Sequence, residues 1–223
     1  MAAINIVAIL GFVITLLCCN PISSLIREKG KEENSQDKSY LVLLWIIFGA
    51  AFVVRIIAAA VYKGNETDMN CFLIWSQNVF EDGLSKFYLS DSFHDYPPGY
   101  MYILYIVGAI RALFSWAWDS KASIVLTKLP AIIADMFTAY LIFKIASKRL
   151  KESGAALLSA VYLFCPMVIL DSAVWGQTDS VFTVFMVLMC YLITEKKLIL
   201  SYFVFAIGIL IKPQSLFFTP VLI

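Results

Sequence analysis

Long apolar runs separated by short polar intervals dominate this sequence and restrict how it can fold. Each run approaches the roughly 20 residues that a helix needs to cross the ~30 Å hydrocarbon core of a bilayer. Inside a bilayer the backbone must satisfy its own hydrogen bonds, which helices do. The candidate runs are 2–19, 40–62, 100–117, 123–146, 154–170, 178–194 and 198–211. The sequence therefore predicts an all-α, polytopic transmembrane protein.

Composition agrees with a lipid environment. Apolar residues make up 61% of the 223 residues and charged residues 15%, against roughly 45–50% and about 25% in soluble domains. The formal net charge of +1 and the lack of a basic stripe argue against a nucleic-acid partner. None of the five cysteines shows metal-ligand spacing, and His94 is the single histidine. A multi-histidine metal centre is therefore excluded.

The distribution of Lys and Arg predicts the orientation, because basic loops stay in the cytoplasm. The basic segments, predicted to be cytoplasmic, are 20–39, 144–151 and 195–197. The segments poor in Lys and Arg, predicted to lie outside, are 63–99 and 171–177. These assignments agree with each other only if one apolar run between residues 39 and 144 does not cross.

Run 100–117 is the best candidate for a segment that does not cross. It is short, it contains Arg111, and Pro97-Pro98-Gly99 interrupts the chain just before it. We predict that it lies at or partly within the outer leaflet. The resulting topology brings four polar motifs to the outer side. They are Thr67-Asp68, Asp95-Tyr96-Pro97-Pro98, Trp175-Gly176-Gln177-Thr178-Asp179 and Lys212-Pro213-Gln214.

Segment 63–99 is predicted to hold a helix lying on the membrane surface. Apolar residues recur at three- and four-residue spacing within 68–82, and Gly83 can end the helix. Thr67 can cap its start, which places Asp68 in the first turn. The helix dipole favours an ionised carboxylate there, able to accept a proton or hydrogen bonds. The alternative is that Asp68 is simply an acid at a helix start.

Three basic residues near the outer side are candidates for binding a phosphate: Lys128, Lys212 and Arg55. The alternative for Lys212 is a side chain that snorkels to the interface. Trp75, Tyr96 and Trp175 can stack on sugar rings or anchor the protein at the interface, and we favour anchoring.

Taken in order, these residues resemble the integral-membrane glycosyltransferases of the GT-C class. The matching pieces are Gly64-Asn65-Glu66-Thr67-Asp68-Met69 with Phe72 and Trp75, Asp95-Tyr96-Pro97-Pro98, Asp171 with Trp175-Gly176-Gln177-Thr178-Asp179, and Lys212-Pro213-Gln214. The resemblance covers about residues 40–220. It is closest to bacterial proteins related to the second GPI mannosyltransferase, and more distant to the dolichyl-phosphate-glucose-dependent glucosyltransferases.

The resemblance implies a GT-C membrane module that transfers a hexose, typically mannose, from a polyprenyl phosphate with inversion. Asp68 matches the catalytic position and would act as general base, while the positions implied in substrate binding are Asp95, Tyr96, Trp175, Gln177 and Asp179. The acceptor would be a glycan, a lipid or a protein. The site would face the outside of a bacterial plasma membrane. No organic cofactor is implied, and a divalent cation is left open.

Members of this class are usually longer, so 1–223 is expected to be one membrane domain from the N-terminal part of a longer chain. A non-enzymatic membrane protein is the alternative reading: a transporter, a lipid-handling subunit or an inactive assembly partner. Transporters often consist of internal repeats with polar residues at mid-membrane depth. No inverted repeat is visible in this sequence, and its polar motifs cluster at one surface, which favours an enzyme.

Overall fold

The computed structural model describes residues 39–89 and 93–222. Its regular elements are all helices, as the sequence predicts. In chain order they are α1 (Ser39–Val61), α2 (Glu66–Glu81), α3 (Leu84–Phe87), α4 (Pro98–Leu113), α5 (Lys121–Ala146), α6 (Glu152–Leu163), α7 (Pro166–Ile169), a π-helix (Leu170–Trp175), α8 (Asp179–Thr194), α9 (Leu198–Ile211) and a 3₁₀-helix (Pro213–Leu222). The predicted run 2–19 and nearly all of loop 20–39 lie outside the described residues.

Two helices in the described part of the chain, α1 and α5, are long and apolar enough to cross a membrane. The pair formed by α6 and Pro166–Trp175, bent by 52°, makes a third if it counts as one span. Helices α8 and α9, predicted to cross, have only 16 and 14 residues. At 1.5 Å per residue they extend about 24 and 21 Å, less than the ~30 Å hydrocarbon core.

Helices α1 and α5 run antiparallel. The Tyr40 ring stacks on Phe143 near one end of the pair, and the backbone oxygen of Tyr62 meets Lys128 near the other. The end of α1 and the start of α5 therefore lie on the same side. The chain between them, which includes α4, therefore begins and ends on one side. The placement of run 100–117 at the outer leaflet stays a prediction.

Run 154–170, a candidate spanning helix, is bent and interrupted in the structure. Proline has no N–H to donate to the preceding turn, and α6 ends at Leu163, before Pro166. The helical path then continues to Trp175, so most of the predicted loop 171–177 is a π-helix. Gly176 ends it in a left-handed conformation with φ of 87°, a region that glycine adopts without a steric penalty.

A buried ion pair joins α1 to α5 inside the helix bundle. Arg55 Nε donates to Asp135 Oδ2 over 2.9 Å, and both side chains are fully buried. Ser172 and Tyr162 donate to the same carboxylate, over 2.6 and 3.3 Å. These bonds explain how the bent segment 152–175 docks on α5, because Ser172 belongs to the π-helix.

Helix α2 packs its apolar face against α4 and α5 rather than presenting it to lipid. Gly108 of α4 lies so close to α2 that an added Cβ would be 2.2 Å from the Ser76 carbonyl oxygen. Trp75 is 3% exposed and donates to the Phe93 carbonyl over 2.9 Å. The prediction that Trp75 anchors at the membrane interface is therefore wrong, because its ring belongs to the core.

The Asp135→Asn substitution should destabilise the protein, because it leaves the Arg55 charge buried without a counter-ion. Removing one partner of a buried ion pair costs about 3–5 kcal/mol. We expect a clearly lower unfolding midpoint in detergent. The control is Ser159→Ala, which removes one buried hydrogen bond to Ala139 and should cost about 1 kcal/mol. Equal midpoints for the two variants would contradict this account.

Candidate active site

A cavity of about 1000 Å³ lies at the end of the bundle where α1 ends and α5 begins. Every one of the four polar motifs singled out in the sequence contributes to its wall. The lining residues are Thr67, Asp68, Cys71, Phe72, Trp75, Phe93, Asp95, Tyr96, Pro97, Asp171, Trp175, Gln177, Asp179, Lys212, Pro213, Gln214, Leu216 and Phe217. The tertiary structure thus brings together segments from α2, the α3–α4 connection, the π-helix, and the end of α9.

Asp68 lies in the first turn of α2, as predicted, but the cap is a different residue. Asn65 caps the helix, its Oδ1 accepting from the Asp68 backbone N–H over 3.1 Å. Asp68 Oδ2 accepts two hydrogen bonds, from Trp175 Nε1 over 2.8 Å and from Gln177 Nε2 over 2.5 Å. Among the described residues none donates to Oδ1. The carboxylate is therefore held through one oxygen, and the other can meet a ligand in the cavity.

Two glycines allow the segments that carry Asp68 and its donors to touch. Gly64 has φ of 97°, and an added Cβ would lie 2.1 Å from the Trp175 carbonyl oxygen. At Gly176 an added Cβ would lie 2.6 Å from Met69 Cε. A larger residue at Gly64 would meet backbone and push the turn after Trp175 away from the start of α2, whereas one at Gly176 would displace the tip of the Met69 side chain and strain a backbone with φ of 87°. The indole and amide that bind Asp68 depend on this close approach.

Lys128 lies beneath this turn and does not line the cavity. Its Nζ donates to the backbone oxygens of Tyr62, Ala173 and Val174, over 2.7, 3.0 and 2.9 Å. The side chain is fully buried, and an ammonium has three N–H groups to donate. The structure therefore corrects the prediction that Lys128 binds a lipid phosphate, because all three donors are used within the fold.

Arg55 is likewise unsuited to that predicted role. It is fully buried against Asp135 in the bundle and takes no part in lining the cavity. Its second contact is a 3.3 Å hydrogen bond from Nη1 to the Ala51 carbonyl. The pairing with a carboxylate from another helix, 80 residues away, could not be read from local sequence.

Tyr96 forms part of the aromatic wall of the cavity. Its ring packs edge-on against Phe72, with 5.7 Å between centroids, and its backbone oxygen accepts from the Tyr88 hydroxyl over 2.9 Å. Its own hydroxyl donates to Gln177 over 3.5 Å and accepts from Thr178 over 3.3 Å. Tyr96 therefore links the segment before α4 to the turn that holds Gln177 and Thr178. The neighbouring Asp95 is exposed at the rim of the cavity.

Lys212 and Asp179 form an ion pair at the cavity wall. The Lys212 ammonium lies 5.8 Å from the ring centroids of both Tyr96 and Phe182. Burial acts to lower the pKa of Lys212, but the hydrogen bond to Asp179 and the nearby charges outweigh it and raise that pKa. Lys212 is therefore a permanent positive charge at neutral pH.

The cavity wall carries more negative than positive charge. Four aspartates line it, Asp68, Asp95, Asp171 and Asp179, against one lysine. Burial raises the pKa of the Cys71 thiol, and the charges of Asp68 and Asp95 raise it further. In the described part of the chain, no three His, Cys, Asp or Glu side chains are grouped as a metal ion requires.

Sequence reasoning missed several residues of the cavity wall. Cys71 follows Asp68 by three residues and so shares its helix face, which is a signal that could have identified it. Phe93, Leu216 and Phe217 are exposed apolar side chains on its rim. Nothing in their local sequence distinguishes them from lipid-facing residues.

Comparison with known proteins yields one family. The sequence model of the dolichyl-phosphate-mannose-protein mannosyltransferase family matches residues 95–223. That range is more than half of the chain and holds every cavity motif except the one containing Asp68. No curated protein and no solved structure matches the chain.

The family match and the helical architecture support the resemblance at the level of a GT-C mannosyltransferase-like membrane protein. Membership of this family implies a glycosyltransferase that uses a polyprenyl-phosphate-linked sugar in a membrane. The chain belongs to the dolichyl-phosphate-mannose-protein mannosyltransferase family.

Proposed function

We propose that this protein transfers a hexosyl residue, specifically mannosyl, from a polyprenyl-phosphate-sugar to an acceptor hydroxyl, with inversion and with Asp68 as general base. The observation that carries the proposal is the carboxylate of Asp68 at the cavity wall. Trp175 and Gln177 hold its Oδ2, and Oδ1 has no donor among the described residues. A base needs this combination of fixed orientation and one accessible oxygen.

In the proposed reaction, the acceptor oxygen attacks the anomeric carbon as the bond from that carbon to the phosphate oxygen breaks. The hydroxyl proton passes to Asp68, and the lipid phosphate leaves with the bonding electrons. Attack and departure occur on opposite faces of the sugar, so the anomeric configuration inverts. The sugar passes through a transition state with oxocarbenium character, which the carboxylates of the cavity would stabilise.

Lys212 is the residue that we assign to the lipid phosphate. It is the only cation among the described residues of the cavity wall. Its pairing with Asp179 leaves other N–H groups of the ammonium for a phosphate oxygen. A charge-assisted contact of this kind stabilises a departing phosphate.

The charge balance also bears on the acceptor. With four aspartates and one lysine on the wall, a neutral hydroxyl-bearing glycan, lipid or protein fits better than a phosphorylated acceptor. We assign sugar contacts to Asp95, Tyr96, Trp175, Gln177 and Asp179, all of which line the cavity. Aromatic rings of this kind can stack on sugar faces.

We further propose that the cavity faces the outside of a bacterial plasma membrane. The basic segments 144–151 and 195–197 meet at the opposite end of the bundle, where Lys148 pairs with Glu195. The excess of positive charge in cytoplasmic loops supports this orientation. The finer assignment, to bacterial proteins related to the second GPI mannosyltransferase, rests on the ordered motifs from Gly64 to Gln214.

The Asp68→Asn substitution should abolish transfer while leaving membrane insertion intact, because an amide cannot accept the proton. The measurement is label transfer from polyprenyl-phosphate-mannose and polyprenyl-phosphate-glucose in membranes that hold the native full-length gene product. We expect a loss on the order of 10²–10⁴-fold. Asp82→Asn, at the exposed far end of the same helix, is the control and should keep full activity.

Two results would count against the proposal. Unchanged transfer in Asp68→Asn would remove Asp68 from the role of base. No transfer from either donor by properly inserted wild-type protein would favour the transporter, lipid-handling or assembly-partner reading.

The Lys212→Ala substitution should weaken use of the donor more than use of the acceptor, because only the donor carries the phosphate. Loss of one charge-assisted contact of about 1.5 kcal/mol or more corresponds to a donor KM raised roughly tenfold. Lys121→Ala changes an exposed lysine at the start of α5 outside the cavity and serves as control. Equal increases in both KM values would argue against a phosphate contact.

Alkylation of Cys71 should report the charge and occupancy of the cavity without any assay of transfer. Its raised pKa keeps the thiolate scarce at pH 8, so maleimide should react slowly, since the thiolate is the nucleophile. Asp68→Asn removes a negative charge and should speed the reaction, and bound donor should slow it. The experiment uses a chain whose other four cysteines are replaced, with Cys71→Ser as blank. An unchanged rate in Asp68→Asn would contradict the arrangement.

A further inference from the structure

We propose that Lys128 is a positioning residue that fixes Asp68 relative to its two hydrogen-bond donors. This inference rests on the proposed role of Asp68 as base. Lys128 does not line the cavity and acts only through the backbone segments that it holds. Three features support this role: the hydrogen bonds of Lys128, its complete burial, and the close approach of the backbone at Gly64 and Gly176.

The Lys128 ammonium lies where two helical segments end. The carbonyl of Tyr62 follows the last turn of α1, and those of Ala173 and Val174 belong to the end of the π-helix. Carbonyls at a helix C-terminus lack partners within the helix and carry partial negative charge. A single ammonium that binds the carbonyls of both helix ends satisfies these groups and joins the two segments.

One of the two segments leads to Asp68 and the other leads to the side chains that donate to it. The chain after Tyr62 passes through Gly64 and the cap Asn65 into the first turn of α2, which holds Asp68. The chain after Val174 provides Trp175 and, two residues later, Gln177. The position of the carboxylate relative to its donors therefore depends on the bridge that Lys128 makes between the two segments.

The aliphatic part of Lys128 also supports the turn from below. A Cβ added at Gly176 would lie 3.1 Å from Lys128 Cε and 3.2 Å from its Cγ. Gly176 thus rests on the lysine side chain, midway between the indole and the amide that bind Asp68. The ammonium holds the end of α1 and the end of the π-helix at a fixed distance from each other. The methylene chain packs against Gly176 and limits how closely the turn can approach α5.

The bridge requires an ammonium in particular. A hydroxyl donates one hydrogen bond and an amide nitrogen donates two, whereas the ammonium donates three. No carboxylate pairs with Lys128 among the described residues, in contrast to Arg55, whose charge is balanced by Asp135. A buried cation is costly in this setting, so its retention without a counter-ion is explained by what its three bonds hold in place.

The test compares Lys128→Met and Lys128→Gln with wild type in the full-length protein. Misplacement of a catalytic group by about 1 Å lowers rates on the order of 10²-fold. We expect kcat to fall by that factor in Lys128→Met while the donor KM stays within about twofold. The kcat of Lys128→Gln, whose amide keeps two N–H donors, should lie between those of Lys128→Met and wild type. Ser159→Ala, which removes a buried interhelical bond between residues that do not line the cavity, should leave kcat unchanged.

Hydrogen exchange provides a readout independent of transfer. The amides of Gly176 and Gln177 both donate to the Asp171 carbonyl, over 2.9 and 3.0 Å. In Lys128→Met, amide exchange should rise in peptides covering 62–68 and 171–178 and stay unchanged in α8 and α9. A uniform rise throughout the protein would indicate a general stability role and would overturn the inference.

Combined substitutions decide whether Lys128 acts through the donors. Trp175→Phe and Gln177→Leu should each lower kcat in wild type but add little in the Lys128→Met background, because the contact is already displaced. Additive losses, or wild-type kcat in Lys128→Met, would overturn the inference. If wild-type protein transfers no sugar, the proposed function fails, while the exchange pattern still tests the bridge itself.

Discussion

The ammonium of Lys128 binds three backbone carbonyls where α1 and the π-helix end, and the arrangement around Asp68 depends on that contact. Without it, two groups of helix-terminal carbonyls would face each other with like partial charge. With it, Gly64 can approach the carbonyl of Trp175. The carboxylate that we propose as base is thus placed by backbone geometry as well as by its own hydrogen bonds.

The bend after α6 makes that contact available. The break before Pro166 and the 52° bend direct the π-helix against the first half of α5, where Lys128 and Asp135 bind it. π-helical turns are rare and occur frequently at functional sites. Here the turn aims Trp175 and Gln177 at one oxygen of Asp68. Ser172, bonded to Asp135, fastens the same turn to the bundle.

The two fully buried cations, Arg55 and Lys128, are stabilised in different ways. Arg55 has a carboxylate partner and joins two long helices within the bundle. Lys128 has only carbonyl dipoles, and the segments it joins lead into the cavity. Lys212, at the cavity wall, keeps part of its ammonium available beside Asp179. Among the described residues, Lys212 is the single cation of the cavity wall, and we assign it to the departing phosphate.

The sequence by itself determined the helical class, the first-turn position of Asp68 and the meeting of four motifs at one end, because these follow from apolar periodicity and from Lys and Arg counts. It could not determine which of the three candidate basic residues lines the cavity. Arg55, Lys128 and Lys212 each lie in or at the end of an apolar run, yet Arg55 pairs with a residue 80 positions away, Lys128 with residues 45 to 66 positions away and Lys212 with a residue 33 positions away. Only the tertiary structure decided their roles, since buried charges are sorted by partners from other helices, which local spacing does not reveal.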